Sequence, residues 1–238
     1  MRAIVAITRK EITVYFTSPM AYVVSGVFLA LTGVFFIDSI DQAFKVAQVR
    51  GFLLRSSFFL LPLIPPLLTM RLFAEEQKLG TLELLVTAPV RDYEVVIAKF
   101  IASLIILSST VLLTLFYTVI LLFYGSPDIG PVLSGYLGFL LYGAAALSIG
   151  LLASSLTSNQ IVAAAVGFGT ILLFTVIDQV SGILGGVVAT VLSQVSLTGH
   201  LDAFTRGVID VSDVVYYLVV IAIVLFMTVR SVESRRWR

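Results

Sequence analysis

Apolar residues run through this chain in long blocks, and the short polar breaks between the blocks define its elements. Residues 20–37, 53–71, 100–123, 133–154, 161–177 and 214–229 each read as one helical crossing of a bilayer, because about 20 helical residues cover a hydrocarbon core roughly 30 Å thick. Residues 129–177 carry no charge and are too long for a single crossing, so Thr157, Ser158, Asn159 and Gln160 mark the turn between the fourth and fifth spans. The second span contains Pro62, Pro65 and Pro66, which predict a kink or a broken turn whose freed carbonyls need partners.

The flanking pieces are mixed. Residues 1–18 place Ile4, Ile7, Ile12, Tyr15 and Phe16 among Arg9, Lys10 and Glu11. An interfacial helix with the charges wet fits this pattern, and so does a plain extension of the first span. Residues 179–213 contain a continuous apolar run only over 183–192. That is short for a crossing and suits an interfacial or re-entrant helix. Leu201, Phe204, Val208 and Ile209 then form an apolar side ahead of the last span.

The most polar stretch lies between the second and third spans. From Arg71 to Lys99 it holds Arg71, Glu75, Glu76, Lys78, Glu83, Arg91, Asp92, Glu94 and Lys99. Leu72, Leu79, Leu82 and Val86 fall near one helical stripe, with Glu75, Glu76 and Glu83 opposite. Gly80 interrupts the pattern, and Ala88-Pro89 ends it. The coupling segment so defined, 72–92, fits a part that touches something outside the bilayer and moves the spans; an ordinary loop with an interfacial helix fits as well. Small residues recur at four-residue spacing as Ala146, Gly150 and Ser154, as Ala163 with Gly167, and as Ala165 with Gly169. Such spacing permits close helix packing.

Composition supports a single membrane-embedded domain over 1–238. The chain is 59% hydrophobic and 12% charged, with 17 Phe, where soluble domains carry about 25% charge. Cysteine is absent, which excludes disulfides and thiol chemistry. No small-residue cleavage pattern follows the first span, so it reads as uncleaved. Six spans with both termini inside leave Arg2, Arg9, Lys10, Arg71, Lys78, Arg91, Lys99, Arg230, Arg235, Arg236 and Arg238 on the inner side. Only Lys45, Arg50, Arg55 and Arg206 then lie outside. A seventh span through 179–199 would carry the arginine-rich tail outward, against the positive-inside tendency. The expected fold is therefore an all-α integral membrane protein with six transmembrane helices.

Catalytic chemistry is missing from the pattern. No GxxxxGK[ST] phosphate loop occurs, and the lone histidine, His200, has no metal-binding neighbours in sequence. Asp178 at the outer end of the fifth span is the nearest candidate for a proton relay, and no acid lies mid-span. The chain reads as a non-enzyme that binds neither metal nor cofactor itself and draws its energy from a partner.

The segment LTMRLFAEEQKLGTLELLVTAPVRDYEVVIAKF (68–100) resembles the signature of ABC-2-type permeases. The likeness is greatest to the group containing gliding-motility and nitrous-oxide-reductase-maturation permease subunits, and LTGHLDAFTRGVIDVSDVVYYL (197–218) resembles that group's pattern before the last span. The resemblance implies an amphipathic N-terminal connecting helix, a cytoplasmic coupling helix between spans two and three, and an exterior helical segment before span six. It places Arg71, Glu75, Glu76, Gly80, Thr81, Glu83 and Pro89 in or beside the ATPase-docking region. It further implies export or membrane extraction powered by separate cytoplasmic ABC ATPase subunits, which hold the ATP and Mg. A second permease copy or a homologous permease, the lipid bilayer and a periplasmic or extracellular accessory protein are the other implied partners; nucleic acid is not one. The implied location is the cytoplasmic (inner) membrane of a prokaryote.

On this reading Glu75, Glu76 and Glu83 present an acidic surface to the ATPase, and Gly80 permits close approach or a bend. Leu72, Leu79 and Leu82 anchor the same element to the membrane body. Phe28, Phe35, Phe36, Phe58 and Phe59, with hydroxyls at Thr110, Thr114 and Thr118, point to a partly apolar cargo taken from the bilayer. The same phenylalanines also fit a lipid-facing role. A non-transporting scaffold or regulator that docks an ATPase is the alternative function.

Overall fold

The computed structural model describes residues 2–42, 50–81, 90–124, 128–184 and 186–235, and every regular element among them is a helix. Six stretches are long and apolar enough to cross a membrane: Pro19–Ser39, Arg50–Lys78, Asp92–Phe123, Ile129–Leu156, Gln160–Val180 and Val211–Ser234. The protein is an all-α integral membrane protein. Ahead of the first span lies α1 (Arg2–Thr17), and α2 (Pro19–Gln42) forms that span.

Prolines break the second span into α3 (Arg50–Phe59) and α4 (Ile64–Lys78). Pro65 and Pro66 sit in the first turn of α4, where a missing N–H removes no helical hydrogen bond. Leu60 O accepts from both Leu63 N (3.1 Å) and Ile64 N (2.8 Å), so the backbone stays hydrogen-bonded across the break. The third span is α5 (Asp92–Leu113) and α6 (Leu115–Tyr124). They divide at Thr114, whose hydroxyl donates to Val111 O at 2.6 Å and meets Tyr136 Oη at 3.0 Å. The helix of this span therefore begins well before the apolar run at residue 100. Arg91 N donates to Glu94 Oε2 (3.2 Å) at its start, and Asp92 and Glu94 suit the positive end of the helix dipole.

The fourth span, α7 (Ile129–Leu156), is the packing centre and touches α3, α4, α5, α11, α8 and α10. Several of its glycines admit neighbours that a side chain would exclude. A Cβ on Gly138 would lie 2.7 Å from Phe204 Cβ, and one on Gly143 would lie 2.6 Å from Leu107 Cδ2. The fifth span is α8 (Gln160–Leu184), which outlasts the expected end at 177. Beyond it α9 (Gly186–Val195) turns back along α8. There Leu197 N donates to Phe174 O (3.1 Å) and Thr198 Oγ1 to Thr175 O (2.9 Å). The short α10 (Leu201–Thr205) follows, and α11 (Val211–Arg235) is the sixth span.

Contacts sort the bundle into two ends. Thr8 Oγ1 donates to Ala98 O, Phe73 N to Ser154 Oγ, and Ser155 Oγ meets Ser231 Oγ. Together they set α1, the end of α4, the start of α5 and the ends of α7 and α11 at one end, the proximal end. The distal end carries the ion pairs Arg55–Asp38, Arg50–Asp202 and Arg206–Asp202.

Phe28 and Phe36 are in the packed core, against Phe139 and Phe52 respectively. Thr110 and Thr114 are buried with their hydroxyls bonded inside the bundle. The expectation that these residues line an apolar surface is corrected: aromatic packing between spans one, two and four takes up the two rings. Phe59 is exposed.

Candidate functional site: a charged hub at the proximal end

Lys99 lies within the second turn of α5 and is 1% exposed. Its ammonium donates to Glu11 Oε1 (2.9 Å) on α1 and to Leu72 O (2.7 Å) on α4, and pairs with Glu76 Oε1 (2.8 Å), also on α4. The buried ammonium thus has two hydrogen bonds and a second carboxylate beside it. Lys10, on the rim, approaches Glu76 Oε1 at 3.5 Å and Glu11 Oε1 at 3.8 Å. Two lysines and two carboxylates thus neutralise one another where three helices meet.

Glu11 was expected to stay wet with Arg9 and Lys10, and the structure corrects this. Thr8, Glu11 and Tyr15 form the buried face of α1, while Val5, Val14 and Phe16 are exposed. The reason is Lys99, which draws the one acid of α1 inward. Tyr15 donates its hydroxyl to Leu68 O on α4. Burial holds that phenol well above the usual tyrosine range, against the opposing pull of Arg71. Arg71 lies over the Tyr15 ring at 4.3 Å and donates to Ser18 Oγ (2.8 Å), at the joint between α1 and α2.

A second set of polar contacts fastens α4 to the other side of the bundle. Ser154 Oγ accepts from Phe73 N and Ala74 N (both 3.1 Å) and donates to Met70 O (2.9 Å). Gln77 Nε2 donates to Ser155 O at 3.0 Å, one of the last carbonyls of α7 that lack a helical partner. Ser155 Oγ continues the chain to Ser231 Oγ on α11 at 3.0 Å. Below this clasp, Gly150 and Gly167 bring α7 and α8 onto Pro66 and Thr69 of α4. Ala146, Gly150, Ser154, Ala163 and Gly167 are all buried within the chain.

The coupling residues expected from the sequence are distributed unequally over this site. Glu75 is exposed, whereas Glu76 is turned to Lys99, so the two do not share an acidic surface. Leu72 is buried, but Leu79 is 66% exposed and does not anchor the element to the body. Helix α4 stops at Lys78, and Gly80 adopts φ +68°, so the helical stripe ends before Leu79 can join it. A Cβ on Gly80 would meet nothing within 4 Å of this chain, and the glycine ends the helix in the left-handed region. Thr81 Oγ1 reaches back to Glu76 O at 3.4 Å. Leu82, Glu83 and Pro89 lie outside the described residues.

Residues 5–232 match the family described as ABC-2 family transporter protein. The chain belongs to the ABC-2 family. No curated protein matches it. Membership makes this permease the membrane component of an ABC transporter, a multi-pass transport subunit without catalytic activity of its own, and implies an ABC ATPase as partner. Sequence reasoning missed Lys99, Glu11 and Gln77 as members of the site. One signal was present: Lys99 interrupts the otherwise apolar 95–107 but for Ser103, and a charge inside such a run needs a buried partner.

Proposed function

We propose that this permease is half of an ABC exporter, working with a second permease copy or a homologous one in the cytoplasmic membrane of a prokaryote, both termini inside. The likeness at 68–100 supports a place near the gliding-motility and nitrous-oxide-reductase-maturation group. ATP and Mg bind the partner ATPase, which docks on the segment between spans two and three. One observation carries this reading. The last two turns of α4, directly before that segment, bond to α1, α5 and α7, and through α7 to α11. A push on the segment therefore reaches spans two, three, four and six and α1 through bonded contacts rather than through a loop. The cargo is partly apolar, since open span surfaces present Val23, Val27, Phe59 and Ile161.

Purification of the tagged chain in mild detergent from its own cells tests the reading. An ATPase subunit should be retained and the preparation should hydrolyse Mg-ATP. Glu75→Lys, which touches nothing in the hub, should lower retention by about fivefold at low salt and less at high salt. A wild-type chain that retains no ATPase overturns the proposal. Unchanged retention in Glu75→Lys removes Glu75 from the docking surface.

A further inference from the structure

Helix α1 keeps a second chemistry on the face turned away from the hub. Val5, Arg9 and Thr13 form a ridge at four-residue spacing; a groove of about 510 Å³ between α1 and α5 runs along one side of it, and the open outer surface of α1, with Ala6, Lys10, Val14 and Thr17, lies on the other. The apolar walls of the groove are Ile4 and Ile12 of α1 and Ile101 of α5. Arg9 stands at the edge of this groove, exposed, and its guanidinium has no partner among the described residues. No carboxylate of α1 is free to serve it, because Glu11 is turned to Lys99. The hydroxyls of Thr13 and Thr17 donate to carbonyls of their own helix.

The depth of this face follows from its neighbour. Thr8 Oγ1 is bonded to Ala98 O, about 9 Å along α5 from its first residue at 1.5 Å per residue. Ile101 lies one turn deeper, within the third span. Arg9 therefore sits near the boundary between headgroups and hydrocarbon, where the abundant anion is a lipid phosphate. A guanidinium grips a phosphate with two parallel N–H donors. The same face offers no acid to receive a choline or ethanolamine group.

We propose that α1 carries a binding site for an anionic phospholipid, with Arg9 holding the phosphate and the adjoining groove between α1 and α5 receiving acyl chain. The site is separate from ATPase docking and stands whether or not that docking is as described.

Native mass spectrometry of the purified chain, titrated with phosphatidylglycerol against phosphatidylcholine, tests it. Wild type should retain phosphatidylglycerol preferentially. Arg9→Gln should lose about fivefold of that preference, the worth of one basic residue at a membrane surface. Lys78→Gln removes the same charge from the same end and should keep the preference. Val5→Glu supplies Arg9 with an internal carboxylate one turn away and should lose the preference while helix α1 stays formed, which covers the case of an Arg9→Gln chain that fails to fold. Equal retention by wild type and Val5→Glu overturns the proposal, as does an equal loss in Lys78→Gln, which would assign the effect to general surface charge.

Discussion

At Lys99 a single ammonium is held where water does not reach, and its three partners come from two other helices. Removing one member of such a group leaves the others charged and buried, which costs more than replacing them all. Lys99→Met should therefore destabilise the chain by about 3–5 kcal/mol, read as the loss of thermal stability in detergent. The triple change Glu11→Gln, Lys99→Met and Glu76→Gln should cost clearly less than the single one. Equal losses in both would mean that the stability comes from packing rather than from charge pairing. The sequence showed Lys99 in an apolar run but not its partner, because Glu11 lies 88 positions away. Beside Arg9 and Lys10, Glu11 reads as one more wet charge. Only the approach of α5 to α1 distinguishes it from its neighbours.

At the scale of elements, spacing named the small-residue stripes but not the direction each one faces. Ala163 with Gly167 and Ala165 with Gly169 look alike in the sequence. In the fold the first pair is buried and the second is exposed. A periodicity says which residues share a stripe; the neighbour that fills the stripe is a tertiary fact. Gly150 carries the tightest of these contacts: an added Cβ would overlap Thr69 Oγ1 and lie 3.3 Å from Pro66 Cα. Thr69 is β-branched and bonded to Pro65 O, so it cannot swing aside cheaply. Gly150→Ala should cost about 1–3 kcal/mol through overpacking. Gly169→Ala, with nothing within 4 Å, should be neutral or gain up to about 1 kcal/mol from helix propensity. Thermal unfolding of the two variants side by side measures the difference, and similar effects would refute the assignment of Gly150 to the α4–α7 contact. The proline break in span two was legible for the opposite reason: Pro62, Pro65 and Pro66 impose it through covalent geometry, whatever their neighbours do.

For the whole molecule, span number was legible because it depends on length and composition alone, and the six apolar stretches follow the six blocks read from the sequence. How the spans are joined was not, because the joints are single polar contacts between residues far apart in the chain. Gln77 is the most informative of them. Its amide ties α4 to the end of α7, yet it belongs neither to the exposed surface around Glu75 nor to the Lys99 cluster. Gln77→Leu should therefore leave ATPase retention unchanged while weakening the transfer of motion from α4 into α7 and α11. A readout that needs no cargo is available because the chain lacks cysteine. A single cysteine at Ile209, which is 55% exposed beyond α10 at the distal end, reports on that end by its labelling rate with a membrane-impermeant thiol reagent. With the ATPase bound, Mg-ATP should change the rate in the otherwise wild-type chain. Gln77→Leu should reduce that change several-fold at equal ATPase content. An undiminished response would exclude the Gln77 contact as a path and leave the Gly150–Gly167 seam on Pro66 to carry the motion. A reduced response accompanied by loss of the ATPase would instead make Gln77 part of assembly, and the separation of docking from transmission within α4 would be wrong.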